Sequence, residues 1–214
     1  MEGPLPSNVA LFISVTLLML VIPGPDFVIV TRNSLSGGRS QGYLTLIGIC
    51  CGLAFLTVLA GTGAAAAIAA NASLLAALRI IGGAYLALLG GFLAIGALTR
   101  ARRGAPPAVD GTATARAPIV QGFLNNILNP KALVFYVTFM PQFVSPGGSA
   151  LGQTLLLGAT VVACAALWWS VYVTAVTRMS ALFARPRARV AIDIGAGSAL
   201  APLGIWMALT ADFG

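Results

Sequence analysis

Histidine is absent from these 214 residues, and five acidic residues stand against twelve basic ones. A Ser-His-Asp triad or a transition-metal centre would lack its usual bases and ligands. The three cysteines fall as the adjacent pair Cys50 and Cys51 and the solitary Cys164. No Cys-x-x-Cys spacing points to zinc or to a thioredoxin-like dithiol. Charge is scarce, at 8% of the chain against about 25% in a soluble domain. With 58% hydrophobic residues, the chain cannot cover a water-facing surface. Neither an enzyme nor a cofactor is expected, and the solvent is read as lipid. The N-terminus carries Glu2, no Lys or Arg before its apolar run, and no A-x-A-like cleavage site. It is read as a retained first span, not a signal peptide.

A membrane-spanning helix needs about 20 mainly apolar residues. Six segments qualify, at approximately 8–31, 42–69, 74–98, 119–143, 151–177 and 190–210. Ten of the twelve basic residues sit in alternate connections: Arg32 and Arg39; Arg100, Arg102, Arg103 and Arg116; Arg178, Arg185, Arg187 and Arg189. The other connections, Asn71 to Ser73 and Ser145 to Ala150, have none. Cytoplasmic segments collect Lys and Arg. The net charge of +7 therefore reflects membrane topology and not nucleic-acid binding, and both termini are expected outside.

The segment around 100–118 is rich in Ala, Pro, Gly and Thr and has no hydrophobic period. It is read as a cytoplasmic linker between a first three-helix half, 1–99, and a second, 119–214. Halves with an odd number of spans can be related only by inversion. Three pairs of stretches support a repeat: Gly83–Gly90 and Gly197–Gly204, Pro25-Asp26 and Pro130-Lys131, Ser36-Gly37-Gly38 and Pro146-Gly147-Gly148. The expected fold is an all-α membrane protein of six transmembrane helices in two inverted three-helix repeats, with the first and fourth helices broken at proline.

Four charged side chains fall within the expected spans: Asp26, Arg79, Lys131 and Asp193. Arg79 can snorkel to the headgroups. Asp193 is expected in the first turn of its helix, four residues after Arg189, where the dipole and an i,i+4 pair favour it. Asp26 follows Pro23-Gly24-Pro25, and Lys131 follows Asn129-Pro130, which reads as an N-cap and a first helical residue. A cation in the first turn of a half-helix is disfavoured by the dipole, so Lys131 calls for a neighbouring anion. One reading is that Asp26 and Lys131 simply pair. The other is a site for a small zwitterion, with its carboxylate at Lys131 and its ammonium at Asp26. Pro23, Gly24, Pro25, Asn125, Asn126, Asn129 and Pro130 complete that substrate-binding set, and Asp26 is also the candidate proton-coupling group. Trp168 and Trp169 are read as packing or as an interfacial anchor. Ala/Gly-rich runs at 60–70 and 82–91 are expected to permit close helix contact.

The stretches P-G-P-D-F-V-I-V-T-R-N-S-L-S-G-G-R at 23–39 and Q-G-F-L-N-N-I-L-N-P-K-A at 121–132 resemble the LysE/RhtB family of bacterial amino-acid exporters. F-M-P-Q-F-V at 139–144 and the glycine pattern at 83–90 add to the likeness, which extends from about 9 to 210. The resemblance implies proton-driven export of an amino acid or related solute across the cytoplasmic (inner) membrane. By it, Asp26 corresponds to the family's acidic position, and Asn129, Pro130 and Lys131 to its second-half motif. The partners expected are the substrate, protons and the lipid bilayer, and a homo-oligomer is left open. A passive small-solute channel, or a thiol relay through Cys50, Cys51 and Cys164, are the alternatives. An intramembrane hydrolase lacks a second central carboxylate.

Overall fold

The computed structural model describes residues 8–64, 67, 70–103, 116–145, 148–179 and 186–210, and no strand occurs among them. Helix α1 (Val9–Val21) gives way at Ile22, whose backbone is extended. Pro23 and Gly24 stay outside the helices, and α2 (Pro25–Gly61) starts with Pro25 at its first position. There its missing N–H and fixed φ cost nothing.

The connection expected around Arg32 and Arg39 is not a loop. Both limbs of α2 remain helical up to Gly38, whose φ of 81° and ψ of −179° break the helix. Asn33 Nδ2 donates to Thr45 Oγ1 at 2.8 Å. A straight helix would hold residues twelve apart about 18 Å from each other, so the limbs fold back. Glycine alone adopts that φ without a Cβ penalty, and the reversal needs no further residues.

Asn71 accepts from the Leu74 N–H at 2.9 Å and opens α3 (Ala72–Arg103). Next come α4 (Arg116–Ile127) and the short α5 (Pro130–Val134), then a π turn at Phe135–Phe139 and a 3₁₀ turn at Met140–Phe143. Helix α6 (Ala150–Arg178) is capped by Ser149, which accepts from the Gly152 N–H. Helix α7 (Pro186–Leu209) closes the described chain.

Several expected boundaries move. Helix α2 ends at Gly61, in a turn at Thr62 and Gly63, and most of the remainder of the expected second span, to 69, lies outside the described residues. Within the expected linker, helix α3 continues through Arg103 and α4 begins at Arg116; arginine is a good helix former. Residues 104–115 lie outside the described residues, as do Pro146, Gly147 and Arg185. Asp193 stands two turns into α7 and not in its first turn, since the helix starts at Pro186. The Arg189 side chain lies outside the described residues.

Among the described residues, four helical stretches are long and apolar enough to cross a membrane: Pro25–Gly61, Ala76–Thr99, Ala150–Arg178 and Val190–Leu209. The chain is thus a multi-pass, all-helical membrane protein. Ile22 to Gly24 separate α1 from α2, and Leu128 and Asn129 separate α4 from α5.

Helix α3 packs along α7, while the second limb of α2 lies between α4 and α6. A Cβ on Gly83 or Gly204 would strike the other's carbonyl oxygen, and Gly90 and Gly197 are related in the same way. The two stretches matched by sequence therefore lie against each other, antiparallel. Gly48 against Ile119 and Gly122 against Thr45 bring α2 and α4 equally close. In lipid such contact depends on dispersion and on close backbone approach. Phe12, Ile49, Leu53, Tyr136, Leu157 and Trp169 lie at the centre of the core. Trp169 is 1% exposed, so it packs in the interior and does not anchor an interface.

Candidate functional site: a carboxylate held between two helix ends

Asp26 occupies the first turn of α2, where the helix dipole favours an anion. It is 6% exposed. Its carboxylate accepts from three carboxamides at the end of α4 and just beyond it. Asn125 Nδ2 reaches Oδ1 at 2.5 Å, while Asn129 Nδ2 and Asn126 Nδ2 reach Oδ2 at 3.3 and 3.5 Å. The C-terminal end of α4 presents carbonyl oxygens, which would repel an anion. Three amide groups turn that end into a donor surface. A buried carboxylate needs such partners, because an isolated charge in this setting is costly.

Asn129 serves two roles. Its Oδ1 accepts from the Lys131 N–H at 3.0 Å as the N-cap of α5, with Pro130 next, while its Nδ2 faces Asp26. The carboxamide oxygens of Asn125 and Asn126 are buried without a hydrogen-bond partner. Asn126 Oδ1 lies over Gly52, where a Cβ would come within 2.8 Å of it.

Lys131 does not form an ion pair with Asp26. Its Nζ donates to the carbonyls of Ile22 at 3.0 Å and Met19 at 3.2 Å. These are orphan acceptors at the end of α1, where a cation is favoured. The anion expected beside Lys131 is thus replaced by a helix C-terminus. A Cβ on Gly24 would lie 3.5 Å from Nζ. The direct Asp26–Lys131 pair is corrected on this geometry: each charge meets the broken helix end of the opposite half.

The site unites Asp26, Asn125, Asn126 and Asn129, with Gly24 and Lys131 on the adjoining level. Pro25 and Pro130 start α2 and α5, while Pro23 is exposed. Tyr136, which the sequence reading did not select, lies further along. Its hydroxyl donates to the Leu53 carbonyl at 2.9 Å and meets Thr57 Oγ1 at 3.0 Å. The π turn carrying it is a signal visible only in three dimensions. Arg32 was also passed over: its Nε donates to Asp193 Oδ1 at 2.9 Å. Cys50, Cys51 and Cys164 are free thiols. Arg79 is half-buried near the start of α3.

Discontinuous helices, a caged carboxylate and a half-buried cation give this membrane protein an interior polar site, an arrangement known among transporters. The chain belongs to the LysE type translocator family, which it matches over residues 17–210. It is 32% identical to the uncharacterized membrane protein YrhP of Bacillus subtilis, over 74% of this chain and 78% of that protein. It is 32% identical to the leucine efflux protein of Salmonella typhimurium over 68% of each chain. The threonine efflux protein of Escherichia coli is 29% identical over 94% of this chain and 98% of its own length. No solved structure matches.

Proposed function

We propose that this chain exports an amino acid or a closely related zwitterion across the bacterial inner membrane, by alternating access around Asp26 and Lys131. The observation that carries the reading is the buried carboxylate of Asp26, held by three asparagine amides where two helices restart. The efflux names of two relatives support the solute class.

The architecture we propose has six crossings. They are α1 with the first limb of α2, the second limb of α2, α3, α4 through the 3₁₀ turn, α6, and α7. Residues 1–99 and 119–214 form inverted halves joined by the linker at 100–118. The antiparallel Gly83–Gly90 and Gly197–Gly204 stretches, and the exchange of Asp26 and Lys131 between opposite helix ends, support that symmetry. The arginine-rich end faces the cytoplasm and both termini lie outside.

In this mechanism the solute carboxylate displaces the Ile22 and Met19 carbonyls from Lys131. The ammonium and a proton compete for Asp26. The unpartnered oxygens of Asn125 and Asn126 are ready acceptors for either. Counterflow in proteoliposomes with labelled leucine, threonine and a panel of other amino acids tests the export. A pH-gradient dependence that disappears in Asp26→Asn is the expected outcome. Undiminished pH-driven export by that variant eliminates proton coupling at this group. Lys131→Ala is expected to weaken solute binding roughly tenfold or more, as loss of a charge-assisted bond does. Unchanged affinity rejects carboxylate capture. Flux without accumulation against a gradient would favour a passive channel.

A further inference from the structure

Asp26, Val30 and Asn33 stand at i, i+4 and i+7 on the first limb of α2, so they share one face of the helix. Along that face, towards the arginine-rich end, the route away from Asp26 meets a polar network. Asn33 Nδ2 donates to Thr45 Oγ1 at 2.8 Å and to Gln121 Oε1 at 3.1 Å. Arg32 Nη1 donates to Asn33 Oδ1 at 3.0 Å, and Arg32 Nε to Asp193 Oδ1 at 2.9 Å. Both limbs of α2, α4 and α7 are thereby tied together at one level.

We propose that this network, with the Arg32–Asp193 pair as its latch, is the gate on the arginine-rich side of the Asp26 site. The proposal rests on the transport reading above and adds residues to it. Three features distinguish a gate from a fixed strut. The pair joins opposite halves of the chain, so relative movement of the halves must break it. Its side chains are partly exposed, 24% for Arg32 and 10% for Asp193, so water can replace each partner. Beside it, a groove of about 330 Å³ separates α2 from α7, with Ile192 and the small residues Gly195, Ala196 and Ala199 on the α7 side. Small residues there leave the two helices room to shift without unlocking interdigitated side chains. Asn33, Thr45 and Gln121 then complete the sealing layer at the level of the latch.

The test uses the full-length protein in vesicles, with Cys50, Cys51 and Cys164 replaced by Ser and a reporter cysteine introduced by Val30→Cys. Val30 is fully buried between the latch and Asp26. Alkylation by a membrane-impermeant maleimide from the arginine-rich side is timed in this background. Arg32→Gln and Asp193→Asn are each expected to raise the rate roughly fivefold. The double substitution should raise it no further, because the two groups act as one pair. A Val161→Cys reporter, equally buried in α6, should stay protected throughout. No change at Val30→Cys, additive effects of the two substitutions, or equal exposure at Val161→Cys each overturns the gate. The readout requires no solute, so a gate without amino-acid export, and export without this gate, are separately visible.

Discussion

Two ends of the molecule flank Asp26 and are built from different materials. Towards the arginine-rich side lie an ion pair and carboxamides: Arg32, Asp193, Asn33 and Gln121. On the other side Phe12 meets Phe143 edge-on at 5.1 Å and Phe135 at 6.0 Å, with Met140 buried beside them. Polar partners can be exchanged for water with little net change in free energy. Aromatic packing opens only by losing buried contacts and leaving space behind. The same helical scaffold thus carries one closure that is easy to undo and one that is stable until something displaces it.

That contrast can be broken from the centre outwards. The largest effect is expected at Asp26 itself. Asp26→Leu leaves three buried carboxamide donors without an acceptor, each costing about 1–3 kcal/mol. Thermal unfolding in detergent should show a loss of about 3 kcal/mol or more; a variant as stable as the parent means the cage contributes no cohesion.

Phe12→Ala should cost about 3 kcal/mol by the same measurement, since the ring is fully buried. Arg32→Gln should cost about 1 kcal/mol or less, because its pair is partly solvated. Reversal of that order would undo the comparison between the two ends. Tyr136→Phe sharpens it on the aromatic side. Loss of the hydroxyl should destabilise by about 1 kcal/mol, through the bonds to Leu53 and Thr57. The smallest effect belongs to the cysteines. Serine at Cys50, Cys51 and Cys164 should leave counterflow intact, whereas its loss would revive the thiol relay.

Much of the candidate site could be read from residue order. Asn129-Pro130 carries its own cap chemistry, and a lone carboxylate after Pro-Gly-Pro in an apolar stretch marks a position that needs partners. The partner of Lys131 could not be read from sequence for a specific reason. Sequence gives the sign of Asp26 and Lys131 but not the free carbonyls at the end of α1, which satisfy Lys131 as well as a carboxylate would. Arg32 and Asp193 were separately assigned to a loop and to helix anchoring. Their meeting spans 161 positions of chain, and no local period encodes it. The fold-back at Gly38 was hidden in the same way, since a single left-handed glycine can replace an entire loop.

Sequence alone determined that lipid is the solvent, because too few polar residues exist to face water, and that the charges cluster at one end of an all-helical chain. It also pointed to Pro25 and Pro130 as first residues of helices, since proline's fixed φ and missing N–H suit that position. Tertiary structure decided which partners those restarts receive. Asp26 is held by amides and Lys131 by carbonyls because the end of α4 meets the one and the end of α1 the other. That choice depends on how distant helices dock, and docking is a property of surfaces that no single stretch of sequence contains.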